Sequence, residues 1–441
     1  MNTLTELPLE KLNAMEKTLA QELSLQQANR LALDLTRGKP AADQLELSSG
    51  LDTAIGGNFI TTDGTDTRNY GNLRGIAEAR ELGAEIMEVD AAEVICWGNS
   101  SLNLMYLITG LAFKSGLWGD ARAWRNTPAP KVLTPVPGYD RHFTLSEALG
   151  LEMVNVPLTA QGPDMAIVKE LIREDSAVKG IWCVPKYSNP TGCTYSEAVV
   201  RAMAELPKLA AADDFLVFWD NAYAVHDFVF PRKPLTRILP LARTAGTEDN
   251  ILVFGSTSKI TYASAGLGFV AASEPVLENI EKLLSVASVG PDKINQLRHA
   301  RFLGGRLEEH MAQHAELLKP KFALVQETLE ESLGPLDIAE WTIPEGGYFV
   351  SLETRPGLAN IVGELARQVG LAITIPGATY PYGRDPKNSN LRIAPTFAAL
   401  ADLKIAMEVF VVCLKLASVR DELSTRGETK ISDLTQSRQQ I

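Results

Sequence analysis

The residues best suited to chemistry in this chain come in five short polar clusters, each directly behind a run of apolar residues. Lys259 closes Gly255-Ser256-Thr257-Ser258-Lys259, where an amine can form a Schiff base with a carbonyl compound or move a proton. Asp220-Asn221-Ala222-Tyr223 offers a carboxylate and a phenol, and Asn189-Pro190-Thr191-Gly192 offers an amide. An aromatic ring and an imidazole, Tyr139 and His142, follow Pro135-Val136-Pro137-Gly138. Gly98-Asn99-Ser100-Ser101 opens a helical pattern, and a helix N-terminus with hydroxyls is a natural anion site. Taken singly, each cluster has an ordinary reading as a helix cap, a turn or a solvated lysine.

The elements that must position these clusters are legible from periodicity. Apolar runs at 94–97, 131–134, 180–184, 215–219, 251–254 and 267–272 read as short strands buried on both faces. Helical patterns at 76–89, 102–113, 164–174 and 196–212 fall between several of them. This alternation predicts an α/β fold with a mainly parallel central sheet between helices, and such sheets bind ligands beyond the carboxyl ends of their strands. The five clusters occupy those ends in order. An anion cradle, a flat ring, hydrogen-bond donors, a carboxylate and an amine are together what pyridoxal 5'-phosphate requires: a phosphate site, a stacking partner, an anion for the pyridine nitrogen and a Schiff-base amine.

The chain ends read differently. Apolar residues at helical spacing over 7–31 lead to a turn at Thr36-Arg37-Gly38-Lys39-Pro40. A long helical region, 276–333, breaks near Gly290-Pro291 and precedes strand-like pieces at 347–352 and 391–393, which predicts a smaller α+β unit. The expected division is residues 1–47 as an N-terminal helix and substrate loop packing with the small domain, 48–300 as the large cofactor-binding domain, and 301–441 as the small domain. The polar stretch 421–441 is expected to be a frayed helix or tail.

Composition narrows the function classes. The 441 residues are 45% hydrophobic and 22% charged with a net charge of −12, which is globular and argues against nucleic acid as a partner. Cys96, Cys183, Cys193 and Cys413 lack metal-type spacing, so no metal is expected. Residues 1–20 have no signal-peptide core and no stretch reaches about 18 apolar residues, so a cytoplasmic protein with no membrane partner is expected.

With these motifs in place, the chain over residues 33–395 resembles the fold type I pyridoxal-phosphate-dependent aminotransferases of class I/II, and within them the divergent bacterial aspartate aminotransferases. Leu35-Thr36-Arg37-Gly38-Lys39-Pro40 is similar to the family's substrate loop. Tyr70, Gly75, Glu78 and Arg80 match its Tyr-x4-Gly-x2-Glu-x-Arg element. Asn-Pro-x-Gly, Asp-x-Ala-Tyr and Ser-x-Ser-Lys stand at Asn189, Asp220 and Ser256, and Arg392 in Asn390-Leu391-Arg392-Ile393 matches the late carboxylate-binding arginine.

The resemblance implies a ping-pong aminotransferase, with L-aspartate as donor and 2-oxoglutarate as acceptor, working as a homodimer with shared active sites. It implies that Lys259 holds the cofactor and shuttles the proton, that Asp220 faces the pyridine nitrogen, and that His142 holds Asp220. Asn189 and Tyr223 would donate to the ring oxygen, and Tyr139 would stack on the ring. Gly98, Asn99, Ser100, Ser101, Ser256 and Ser258 would bind the phosphate, with Tyr70 reaching from a second subunit. Arg392 and Asn189 would hold the substrate, and Gly38 would let the chain close over it.

The family's arginine several residues beyond the lysine is missing, since Lys259-Ile260-Thr261-Tyr262-Ala263-Ser264-Ala265-Gly266 holds no second cation. Arg68, Lys293 or hydroxyls such as Ser258 and Ser264 are the expected replacements. For a distal substrate carboxylate the candidates are Arg37, Arg141, Lys186 and Lys293. Other readings of the same scaffold are an aminotransferase for aromatic, kynurenine or alanine-type substrates, a lyase or decarboxylase, and, more remotely, a non-catalytic effector-binding protein.

Overall fold

The computed structural model describes residues 3–28 and 32–427. Two compact units result, one of residues 1–41, 318–343 and 348–441 and the other of residues 42–317 and 344–347. The seams thus fall after Ala41 and Leu317, where the sequence alone suggested 47 and 300.

Strand β1 (Leu33–Asp34) belongs to the smaller unit. The larger unit then supplies β2 (Val94–Cys96), β3 (Lys131–Val136), β4 (Glu152–Thr159), β5 (Gly162–Pro163), β6 (Val178–Cys183), β7 (Leu216–Asp220), β8 (Ile251–Ser256) and β9 (Gly268–Ala271). The smaller unit adds β10 (Ala339–Trp341), β11 (Val350–Thr354), β12 (Leu371–Ala372) and β13 (Asn390–Ile393).

In the larger unit eight strands form one sheet in the order β2-β9-β8-β7-β6-β3-β4-β5. The run β4-β3-β6-β7-β8 is parallel, and antiparallel β9 brings β2 back into the same sense as β8. Every residue of β6, β7 and β9 is buried, because helices cover both faces; the strands are accordingly apolar except for Lys179, which is paired with Asp214, and Asp220 at the end of β7. β4 is different. Its buried residues, Met153 and Val156, lie three apart among exposed or half-buried neighbours, so the strand shows neither an apolar run nor a two-residue alternation in the sequence.

The helices follow their caps. Asp164 accepts from the amides of Ala166 and Ile167 to start Met165–Glu174, and Ser196 accepts from Val199 to start Glu197–Leu209. The long helical region splits into Glu274–Ala287, Lys293–Leu303 and Leu307–Leu333, with a second break at Gly304-Gly305 beyond the one expected at Gly290.

In the smaller unit β10-β11-β13 form an antiparallel sheet, β1 pairs with β12, and the helix Leu9–Ala28 packs on Leu400–Thr425. The terminal helix runs through Asp421 with Glu422 and Leu423 buried, and Arg426 donates to Glu422 and to the Leu7 carbonyl. The stretch expected to fray is therefore ordered helix as far as Thr425, and 428–441 lie outside the described residues.

One close approach ties the sheet to the first cluster. The Trp97 amide donates to the Gly268 carbonyl at 2.9 Å, and the Gly268 amide donates to the Gly98 carbonyl at 3.2 Å. A Cβ on Gly268 would stand 2.5 Å from the Ser100 carbonyl oxygen and 2.8 Å from that of Trp97, both backbone atoms that cannot rotate away. We expect Gly268→Ala to destabilise the protein by roughly 1–3 kcal/mol, read as a lower denaturant midpoint with unchanged slope. An unchanged midpoint would show that this backbone approach is slack.

Candidate active site

The parallel strands deliver the clusters to one edge. Gly98 to Ser100 link β2 to the helix Ser101–Lys114, with Gly98 at φ +70 turning the chain into the helix. Tyr139 and His142 follow β3, buried Asn189 follows β6, Asp220 ends β7, and Ser256 ends β8 just before Ser258 and Lys259.

Asp220 is the centre of this edge. It is 1% exposed, and its Oδ2 pairs with His142 Nε2 at 2.9 Å. Its Oδ1 is buried with no hydrogen-bond partner. A buried carboxylate oxygen left unpaired is costly unless a donor arrives from outside the chain, so the arrangement fits a ligand N–H. Below the pair, His142 stacks on Trp182 with centroids 4.4 Å apart, and Trp182 stacks on Phe218 at 4.3 Å. Trp182 Nε1 donates to Ser146 Oγ, which donates to the His142 carbonyl. Tyr139 meets His142 edge-on at 5.0 Å.

Lys259 Nζ lies 5.2 Å from the centre of the Tyr223 ring. Burial pushes its amine below the ordinary lysine range, and the charge of Asp220 opposes that shift. The anion-type loop is partly tied up internally. Ser258 Oγ donates to the Asn99 carbonyl at 3.0 Å, Asn99 Nδ2 donates to the Ser264 carbonyl, and Ser100 Oγ donates to Asn103. Beside it a cavity of about 300 Å³ is lined by Gly98, Asn99, Ser264, Asp292, Asn295 and Arg298. Asn295 Nδ2 donates to the carbonyls of Ala265 and Gly266, where the expected cation is missing, and Arg298 Nε donates to Asn295 Oδ1. Arg298 was not singled out in the sequence, although its i+3 spacing from Asn295 is visible there.

Of the expected cations, Lys186, Lys293, Arg68 and Arg37 are engaged elsewhere, while Arg141 is exposed. Lys186 is 2% exposed and bonds Asp227 Oδ2 at 2.8 Å and the carbonyls of Ala224 and Lys233, so it is a structural ion pair and not a surface charge awaiting a substrate. Asp227 Oδ1 also accepts from Tyr187, which fixes the loop carrying Asn189 to the turn carrying Tyr223. Lys293 donates to the Tyr70 carbonyl and to Asn72, Arg68 grips Asp66, and Arg37 pairs with Asp34. Tyr70 itself is 81% exposed.

Gly38 and Arg392 lie in the smaller unit. Arg392 is 9% exposed, donates to Thr374 Oγ1 and lies over the Phe349 ring at 4.8 Å. A Cβ on Gly38 would meet the same ring at 2.0 Å, so any larger residue there would have to displace the Phe349 ring.

Comparison with known proteins agrees with this architecture. The family model described as aspartate amino-transferase matches residues 7–426. An aspartate aminotransferase of Corynebacterium glutamicum is 39% identical over 419 residues, covering 94% of this chain and 96% of that protein. The crystal structure of an aspartate transaminase from the same species superposes with a TM-score of 0.92 at 38% identity, covering 96% of this chain and 99% of the other. An α-aminoadipate aminotransferase from Thermus thermophilus, complexed with N-(5'-phosphopyridoxyl)-L-leucine, shares the fold at a TM-score of 0.72 and 19% identity over 92% of this chain and 95% of its own. The chain belongs to the aspartate amino-transferase family. It is an aminotransferase with the α/β fold expected from its sequence.

The lowered basicity of Lys259 has a direct signature. Only a neutral amine captures an aldehyde, so capture rises with pH through the amine's pKa, and for Lys259 it should level off at a lower pH than for an exposed lysine. Borohydride trapping of pyridoxal phosphate followed by peptide mapping should place the label on Lys259 near pH 8 and lose it in K259R. Equal labelling of exposed lysines would contradict the lowered pKa.

Proposed function

We propose that the strand-end cluster holds pyridoxal 5'-phosphate on Lys259 and transfers an amino group from L-aspartate to 2-oxoglutarate. The observation that carries this reading is Asp220, a buried carboxylate with one oxygen held by His142 and the other unpartnered. When bound, the cofactor supplies an electron sink for the pair released at the substrate Cα. The roles below belong to the chain's own residues.

Asp220 Oδ1 would accept the pyridine N–H, and His142, bonded to Oδ2, keeps the carboxylate aimed. Tyr139 would cover the ring face, while Asn189 and Tyr223 would donate at the ring oxygen. Lys259, once released, takes the Cα proton at Nζ, a task suited to an amine whose basicity burial has already lowered. The phosphate is held at the N-terminus of the helix Ser101–Lys114 by Gly98, Asn99, Ser100, Ser101, Ser256 and Ser258. Arg298, lining the neighbouring cavity, supplies the cation that the stretch around Gly266 lacks. Arg392 takes a substrate carboxylate through a bidentate pair.

The working unit in this reading is a homodimer. Tyr70, Val286 and Val289 are 81%, 88% and 64% exposed in the larger unit, and the Gly71 amide donates to the Val289 carbonyl, joining the two segments. An apolar strip of this kind is suited to a second copy, whose Tyr70 would reach the phosphate.

The test is a spectrum. Purified protein with pyridoxal phosphate should show a visible band that disappears on adding L-aspartate alone and returns with 2-oxoglutarate. A band unmoved by aspartate would leave Lys259 in place and reject the donor, and absence of any band would reject the cofactor.

A further inference from the structure

The chain has five histidines, and His142 is accounted for by Asp220. The other four converge on three consecutive residues, Lys259, Ile260 and Thr261. His226 Nε2 lies 3.4 Å from the Lys259 carbonyl oxygen. His310 Nε2 lies 2.8 Å from the Ile260 carbonyl oxygen, and His314, one turn further along the same helix, backs it with Nε2 at 3.2 Å from His310 Nε2. His299 Nε2 lies 2.9 Å from Thr261 Oγ1. They come from three separate elements, namely the turn after β7, the helix Lys293–Leu303 and the helix Leu307–Leu333.

The partners assign the tautomers. A carbonyl oxygen only accepts, so His226 and His310 carry their proton on Nε2 and donate. His314 Nε2 lies 3.2 Å from His310 Nε2, so only one of these two nitrogens carries a proton, and it is the His310 one that the Ile260 carbonyl requires; His314 Nδ1 in turn lies 3.2 Å from the side-chain amide of buried Gln44. His299 donates from Nδ1 to the Asn295 carbonyl at 2.8 Å and accepts from the Thr261 hydroxyl at Nε2. All four side chains are at least nine-tenths buried. Each is therefore a neutral ring with a fixed orientation.

We propose that His226, His299, His310 and His314 are positioning residues that clamp the 259–261 turn and so hold the Lys259 amine in register while it is released from, and returns to, the bound cofactor. The inference rests on the cofactor reading above. Neutral imidazole suits this place: it donates to a buried carbonyl without adding a cation beside an amine that must give up its proton. Arginine or lysine would donate equally well and work against that release.

Burial holds all four rings uncharged, lowering His299 to about 4 and His314 to about 3, with His226 and His310 also shifted down. The charged or titratable groups facing them are Lys259 and Lys186 at His226, Arg298 and Asp292 at His299, and Arg306 and Glu309 at His310. The rings also face each other, since His314 acts on His226 and His310 on His314. Asp220 acts on Lys259 itself.

The test compares H310L with H310Q in the holoenzyme. The leucine has no donor for the Ile260 carbonyl, whereas the glutamine amide can reach it. H310L should lower kcat by about tenfold or more, since displacement of a reacting group by a fraction of an ångström has that effect, with the amino-acid KM nearly unchanged. It should also shift the pH at which the visible band of the bound cofactor titrates, and H310Q should restore both. H226L and H226Q, acting on the carbonyl of Lys259 itself, give an independent comparison if H310L does not fold. A folded H310L or H226L with wild-type kcat and band titration, or a glutamine variant no better than the leucine one, overturns the clamp and leaves the cofactor reading intact. A wild-type protein with no visible band overturns both.

Discussion

One buried negative charge governs this architecture. A carboxylate at 1% exposure cannot stand in an apolar sheet unless its surroundings repay the lost water, and the surroundings of Asp220 do so on one side only. His142 satisfies Oδ2, and the Trp182 and Phe218 rings stack beneath His142 to keep it from swinging away. Oδ1 is left for something that the chain does not contain. The neighbouring residues suit that requirement. The Tyr223 ring lies beside the Lys259 amine and Asp220 acts on it, the His226 imidazole meets the Lys259 carbonyl, and the nearby lysine, Lys186, is locked onto Asp227.

Much of this was readable in the sequence because the physics there is local. β6, β7 and β8 are covered on both faces, so apart from Lys179, which pairs with Asp214, their bodies are apolar, and the polar residue at or just beyond each carboxyl end marks where the candidate site begins. The helices at Met165 and Glu197 carry their own start signals in Asp164 and Ser196. What stayed hidden depends on distant partners. β4 sits near the sheet edge with exposed residues on both faces, and its two buried positions, Met153 and Val156, are too few to separate from a loop. Lys186 looks like any charged loop residue until Asp227 is brought to it from the next strand connection. His310 and His314 read as two polar positions on an amphipathic helix, and nothing in their spacing tells of a carbonyl at Ile260 or an amide at Gln44. Arg298 reads as a helix-surface cation for the same reason.

Similarity over nearly the whole length establishes the fold and the class of reaction. The individual roles rest on particular contacts: the Asp220–His142 pair, the lowered basicity of Lys259, and the Tyr187–Asp227–Lys186 linkage joining two loops of the larger unit. Where this chain departs from the common pattern, around Gly266, it has Asn295 binding the backbone that would have carried the cation.

The smaller unit is assembled from both ends of the chain. β1 near the start pairs with β12, and the first long helix lies along the last one, with the whole larger unit synthesised in between. During vectorial synthesis the N-terminal segment must therefore wait, its apolar face without a native partner, until the terminal helix has left the ribosome. Closure of such distant contacts is entropically slow, while the larger unit draws on one nearly continuous stretch and can form earlier. The order of assembly is thereby written into the topology: the Lys259 edge is built first, and the unit bearing Arg392 is sealed last.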